Sequence, residues 1–444
     1  MQVVMPPEGA FAHAPKLQHV PILIGDDGSY PIEANRYLDE RSNGEWQLPR
    51  DRSKAKAESE LFYGPIPTLR SRRNMAARLS IFLEWCIDQA TDWREISYNE
   101  NILHQYQPAL LSGDGSPSGR QLDPATVNLY VNEACLFLTW ASERGYRLPM
   151  QIPVRKVAYT YISPTSSQSG TLRSKTVRIG SLTAPEAPII LPPDREVEMW
   201  LKSISVRAPV KILIFELIIR SGLRISEANQ LRVTCFPAKR TSERTNWQPD
   251  WILAGEVPLV LKYGTKGGKV SPGSDLGTRW RTVFVPLDLA ERIWHYISVI
   301  RPTQLTRYHI GDRKHTKRTD RLWLGEGVNR PVSNEMLRRI WTSDRHCPKG
   351  WHPHTGRHHF AVKKICALTR AQLALAGNSE LSGADFGWLH GLMAGQVKML
   401  LSPLMGHVDE RTTMQYLRAA VAKIGRDRGH PAIRWNAIID EALT

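Results

Sequence analysis

Apolar positions early in the chain fall on helical spacings. Met75, Leu79, Phe82, Leu83 and Cys86 stand at i, i+4, i+7, i+8 and i+11, which is one face of a helix. Val127, Tyr130, Val131, Ala134, Phe137, Leu138 and Ala141 repeat that pattern, with Asp123 as N-cap, Pro124 in the first turn and Gly145 as a stop. Residues 66–150 therefore read as an independent helical domain. From 151 to 190 the periodicity is lost. This stretch is rich in Ser, Thr and Pro, has five basic residues against one acidic, and reads as a basic linker, or a linker with short extended pieces.

Pro192-Pro193-Asp194 opens a second, larger domain, taken as 191–425. Helices are expected over Arg195–Ser203 and Pro209–Ser221, the latter with Ile212, Phe215, Ile218 and Ile219 on one face and Gly222 as its cap. A strand-rich stretch follows at Trp251–Ala254, Val257–Tyr263 and Arg281–Val285, with Gly264, Gly267 and Gly268 in the turn, and helices return after Pro286. The pattern predicts a mainly α protein with a small antiparallel β-sheet. Residues 1–65 read as an N-terminal extension without an assigned role, and 426–444 as a C-terminal tail.

Composition narrows the class. The 444 residues hold 59 Lys+Arg against 43 Asp+Glu, a formal charge of +16. No uninterrupted apolar run approaches the roughly 20 residues of a membrane span, and Met1–Pro15 lacks the basic-then-apolar order of a secretory signal. Cys86, Cys135, Cys235, Cys347 and Cys366 are scattered without a Cys-x-x-Cys pair, as expected of reduced thiols in a cytoplasmic protein. The charge excess points to a polyanion, most often nucleic acid. It is concentrated: residues 301–370 hold 16 Lys+Arg and 5 Asp+Glu. The run Arg313–Arg321 reads as a solvated loop or a phosphate grip, whereas Trp323, Trp341, Trp351 and Phe360 mark folded surroundings. Arg70, Arg72, Arg73 and Arg78, at the start of the first helix, are candidate DNA contacts or simply a solvated helix end.

The commoner catalytic templates are missing: no Walker loop, no His-Glu-x-x-His, no Gly-x-Ser-x-Gly and no carboxylate cluster for Mg²⁺. A metal set of His352, His354, His358 and Cys347 has poor chelating geometry because of its His-Pro-His spacing, and no metal is assigned. Three segments stand out instead. Gly222-Leu223-Arg224-Ile225-Ser226-Glu227 places Arg224 in a tight helix junction with Glu227 one turn on. His354 and Arg357 lie at i, i+3. Leu404-Met405-Gly406-His407 precedes Tyr416 by nine residues from the histidine.

Together these segments resemble the signature boxes of the tyrosine recombinase (phage integrase) family: Gly-Leu-Arg-x-x-Glu, His-x-x-Arg and Leu-Gly-His…Tyr, here with Met405 before Gly406. Lys266-Gly267-Gly268-Lys269 and the strand Arg281–Pro286 resemble that family's catalytic-lysine hairpin, and 66–150 resembles its core-binding domain. The resemblance spans about 66–425. It implies an α+β catalytic domain and a metal-independent, cofactor-free site-specific recombinase of a mobile element. In such an enzyme Arg224 and Arg357 grip the scissile phosphate, and His354 and His407 donate hydrogen bonds and move protons. Lys266 (with Lys269 as fallback) protonates the leaving 5′-oxygen, Glu227 orients the site, and Tyr416, mostly neutral at a free pKa of about 10 unless the cationic surroundings favour phenolate, attacks to give a 3′-phosphotyrosine. It also implies a double-stranded DNA partner, nucleoid association and assembly into a dimer to tetramer through the tail. A non-cleaving DNA-binding protein of the same fold and a type IB topoisomerase are the alternatives. The long spacing from Arg357 to His407 leaves an apolar, Gly-containing element near 371–397 unexplained.

Overall fold

The computed structural model describes residues 1–7, 9–46, 67–115, 119–161, 171–183, 189–266, 270, 274–308, 319–325, 332–375, 391, 393, 395, 397–406, 415–421 and 423. It divides into two compact units, Met1–Glu186 and Ala187–Thr444. Both are mainly helical, with three two-stranded antiparallel sheets among the described residues. No described helix is long and apolar enough to cross a membrane.

The first unit begins with a short hairpin, β1 (Gln2–Val4) and β2 (Ile22–Ile24), and helix α1 (Ile32–Asn43). Then come α2 (Leu69–Asp88), a π-type turn at Tyr98–Tyr106 running into α3 (Gln107–Ser112), and α4 (Pro124–Glu143). The expected apolar faces of α2 and α4 are buried in one core. Thr68 Oγ1 caps α2 by accepting from the Ser71 N–H at 3.3 Å, and Asp123 Oδ1 caps α4 by accepting from Thr126 N–H at 3.0 Å. Two sequence readings change here. The stretch read as an extension is part of this core: Tyr37 and Leu38 of α1 are fully buried in it, and the Asn35 side chain pairs with both the N–H and C=O of Leu23. The stretch read as a linker forms β3 (Val154–Tyr161) and β4 (Thr171–Arg178), paired in register from Val154↔Arg178 to Tyr161↔Thr171. Its end is sewn to the helices, with Arg178 donating to Asn128 and Asn132 of α4 and Asn128 Nδ2 donating to Leu182 C=O. The short extended pieces are thus present, but periodicity gave no hint of their pairing, because a two-stranded hairpin needs no apolar face when its backbone pairs internally.

The second unit runs α5 (Asp194–Arg207), α6 (Lys211–Ser221) and α7 (Ile225–Asn229). The segment expected as a strand at Trp251–Ala254 is instead α8 (Pro249–Ala254), because Pro249 opens a helical turn and Gly255, at φ +67°, ends it. Strands β5 (Glu256–Tyr263) and β6 (Leu276–Pro286) pair antiparallel, with a register shift between Leu261 and Tyr263. After them come α9 (Leu287–His295), α10 (Arg301–Tyr308), α11 (Asn334–Thr342), α12 (Pro353–Leu375) and the single turn α13 (Ser402–Met405). The main core gathers Trp200, Phe215, Trp341 and Trp351, with the Trp200 indole N–H donating to Trp341 C=O at 3.0 Å. A smaller core joins Ala361, Val362, Ile365 and Cys366 of α12 to Met405 and to Tyr416, Leu417 and Ala420 of a helix at 415–421. This second core fixes where Tyr416 sits. All five cysteines are free thiols.

Candidate active site

Arginines from the start of α7, from β6 and from the first turns of α12 meet at Glu227. Its side chain is fully buried, and its Oε2 accepts the Arg224 N–H at 2.7 Å, which caps α7. Arg224 Nη1 returns to Glu227 Oε1 at 2.8 Å. Arg281 of β6 makes a bidentate pair with the same carboxylate, 2.5 and 2.6 Å, and Arg357 Nη1 lies 3.8 Å from Oε2. Burial alone would raise the Glu227 pKa, but hydrogen bonding from Arg281 and the charges of Arg281, Arg224 and Arg357 hold it below the ordinary value.

The same three arginines read three successive carbonyls at the end of α13. Arg281 Nε donates to Leu404 C=O at 2.8 Å, Arg357 Nη2 to Met405 C=O, and Arg224 Nη2 to Gly406 C=O at 3.2 Å. Arg357 Nη1 donates in addition to Gly222 C=O at 2.5 Å. Helix C-termini leave such carbonyls without intrahelical partners and carry partial negative charge, so guanidiniums suit them. Gly222 and Gly406 cap their helices at φ +69° and +58°, a conformation that L side chains rarely adopt. A Cβ at Gly222 would also lie 2.4 Å from Phe360.

Three guanidiniums thus share one carboxylate in a largely dry place. Arg357 is 1% exposed, and burial together with the Arg224 charge lowers its pKa to about 9, leaving it charged at neutral pH. A cavity of about 730 Å³ opens beside the cluster, with Arg224, Lys266, Arg279 and Arg281 on its wall and Trp280 and Phe284 next to them. Lys266 is exposed there, at the end of the β5 hairpin arm. The excess of fixed positive charge facing this cavity suits an anion that brings its own negative charge and oxygen acceptors.

Tyr416 is fully buried beside the cluster, with its hydroxyl hydrogen-bonded to Arg357 and 2.9 Å from His358 Nδ1. Burial raises the Tyr416 pKa more than Arg357 and Arg224 lower it. Of the two states left open for it, the resting tyrosine is therefore the neutral phenol, because loss of water outweighs the nearby charges. His354 lies at the surface, one helical turn before His358, with ring centroids 4.2 Å apart. Partial burial, then the charges of Arg357, His352, Arg224 and Lys266, hold the His354 pKa below its usual value.

Of the expected site, Arg224, Glu227, Arg357 and Tyr416 come into one cluster, His354 stands at its edge and Lys266 lines the cavity. His407 and Lys269 lie outside the described residues, as do the tail and most of 371–397. In the first unit Arg70 and Arg73 are exposed and Arg78 is half-buried. Arg72 is tied down, donating to Pro67 C=O at 3.0 Å and His19 C=O at 3.1 Å. Among the described residues no group of three or more His, Cys, Asp or Glu could hold a metal ion.

Sequence reasoning did not assign a role to Arg281, Arg279 or His358. Arg281 had a readable signal: it shares a strand face with Val283 and Val285, both buried, so its charge needed a buried partner. His358 follows His354 by four residues and so shares its helix face.

The chain is similar in structure to DNA site-specific recombinases and a transposon integrase. One is the XerH site-specific recombinase bound to palindromic difH substrate in a post-cleavage complex, at 16% identity and TM-score 0.46, over 82% of this chain and 80% of that one. Another is the Tn1549 transposon integrase in complex with transposon right end DNA, at 14% identity and TM-score 0.42, over 80% and 93%. A third is the XerA recombinase, at 12% identity and TM-score 0.33, over 80% and 92%. No family model and no curated protein sequence matches the chain.

Proposed function

We propose that this protein is a tyrosine-type site-specific DNA recombinase or integrase, acting on double-stranded DNA without metal or cofactor. The observation that carries the reading is the meeting of Tyr416, Arg357 and Arg224 around Glu227, beside a cavity with Lys266 on its wall. A phosphodiester in that cavity is bound by Arg224, with Arg281 and Glu227 keeping Arg224 in place. Arg357, which donates to Met405 and Gly222 C=O at rest, reaches the phosphate once it exchanges such a bond for a phosphate oxygen. Fixed guanidiniums stabilise the charge that develops on phosphorus without reorganising solvent. Tyr416 attacks phosphorus, Lys266 protonates the departing 5′-oxygen, and the 3′-phosphotyrosine conserves the bond for a second DNA end. His354 and His407 act as hydrogen-bond donors on the phosphate. The exposed Arg70 and Arg73 and the basic stretch after residue 301 grip the backbone, so binding weakens steeply with salt. Mobile DNA, several protomers joined through the tail and a cytoplasmic, nucleoid-associated location complete the reading.

The test is a nicked suicide duplex carrying a candidate site. Wild-type protein forms a covalent adduct, Tyr416→Phe forms none, and Arg224→Ala still binds duplex but cleaves poorly. Specific binding without any adduct would favour the non-cleaving alternative, and relaxation of plasmid lacking a special site would favour the topoisomerase.

A further inference from the structure

His358 Nδ1 lies 2.9 Å from Tyr416 Oη, within ordinary hydrogen-bond distance. Arg357 can only donate, so the Tyr416 oxygen accepts from it. With the oxygen accepting on that side, the arrangement that uses the phenolic proton is donation to His358 Nδ1, which places the imidazole proton on Nε2. The two side chains are held by separate elements, His358 on α12 and Tyr416 on the helix at 415–421, and the small apolar core around Ala361, Ile365 and Leu417 fixes their separation. We propose that His358 is the general base for Tyr416, a role resting on the recombinase reading above.

In this step the Tyr416 Oη–H bond breaks and its proton passes to His358 Nδ1 while Oη forms the bond to phosphorus. The bond from phosphorus to the 5′-oxygen breaks, and that oxygen takes its proton from Lys266. Rejoining runs the same transfers backwards, with the His358 proton returned to Tyr416, so no other reactant is consumed. The groups facing His358 fit this use. His354 and Arg357 on its own helix, His352 just before it and Tyr416 opposite leave it neutral at rest: burial, then His354, Arg357 and His352, push its pKa down to about 3. A bound phosphodiester sets a negative charge beside Arg357 and these imidazoles, which favours the imidazolium as the proton arrives.

The experiment compares wild type, His358→Gln and His358→Ala on the nicked suicide duplex, with a second duplex whose scissile 5′-oxygen is replaced by sulfur. Glutamine keeps a hydrogen-bonding group but cannot take up a proton. Adduct formation by His358→Gln is expected to fall by about 10²-fold or more, with duplex binding unchanged by gel shift. The sulfur leaving group needs no general acid, so it rescues Lys266→Ala but not His358→Gln. Added imidazole restores cleavage by His358→Ala, and the variants' rates rise with pH. A wild-type rate and pH profile in His358→Gln, with the adduct still dependent on Tyr416, overturns the base assignment alone. Loss of duplex binding in the variants without imidazole rescue also overturns it, in favour of a structural role. Absence of any wild-type adduct overturns the recombinase reading and this one together.

Discussion

Glu40 in the first unit and Glu227 in the second are both buried among arginines, and the two are built to opposite ends. In the first unit Glu40 accepts from Arg144 at 2.7 and 3.0 Å, from the Trp140 indole at 2.8 Å and from Arg36 at 3.0 Å. Its arginines reach water, with side chains 54% and 39% exposed. In the second unit Glu227 holds three arginines whose side chains are only 22%, 10% and 1% exposed. Glu40 closes a helix junction whose remaining charge the solvent screens. Glu227 leaves surplus positive charge in a place with little water, which costs stability unless an anion is bound. A stability clamp and a candidate binding site thus differ less in residue type than in where the surplus charge is left.

The largest effect expected from this contrast is at Glu227→Gln. Removing the carboxylate leaves three packed guanidiniums uncompensated, at about 3–5 kcal/mol. Hydrogen exchange on the full chain, read on peptides from α6–α7 and α12, should show the loss confined to the second unit.

Acid should separate the units next. Burial holds the pKa values of His354, His358 and His359 below normal, so the unfolded chain takes up protons first as pH falls through about 6.5. Their contribution is present above that value and is lost below it. Glu227 and Glu40, both depressed, contribute above about pH 4.3 and lose that contribution only as pH falls through their lower folded values. Exchange protection in α12 should therefore decline between pH 7 and 5 while α1 and α4 hold. Equal decline in both would break the contrast.

The smallest effect is at Glu40→Gln. Its arginine partners are more than a third exposed, so screening limits the loss to about 1–2 kcal/mol, carried mainly by the Trp140 hydrogen bond. A cost matching that of Glu227→Gln would show that exposure of the partners is not what distinguishes the two sites.

Several parts of this molecule were legible because they are local. The faces of α2, α4 and α6 follow from 3.6-residue spacing, and their ends from Asp123, Pro124 and Gly222. Arg224 and Glu227, or His354 and Arg357, are one turn apart, so their pairing on a helix is written in the chain. Short extended pieces were one reading of 151–190, but their pairing as the β3–β4 hairpin was not legible because its backbone pairs internally and asks for no apolar alternation. The α1 contribution to the first core was missed because Tyr37 and Leu38 sit in a mixed, charged stretch with few apolar neighbours.

By itself the sequence determined the helical class, the two main helix-rich regions, the basic surplus and the set of residue types at the centre. Only the tertiary structure decided that Arg281 joins that centre, that Tyr416 is a buried neutral phenol, and that His358 rather than a more distant group faces its hydroxyl. The reason is physical. Helix periodicity and caps depend on neighbours within a few residues, whereas desolvation and charge coupling depend on which distant segments pack together. Glu227 meets Arg281 and Arg357 across 54 and 130 positions of the chain, and only packing sets those distances.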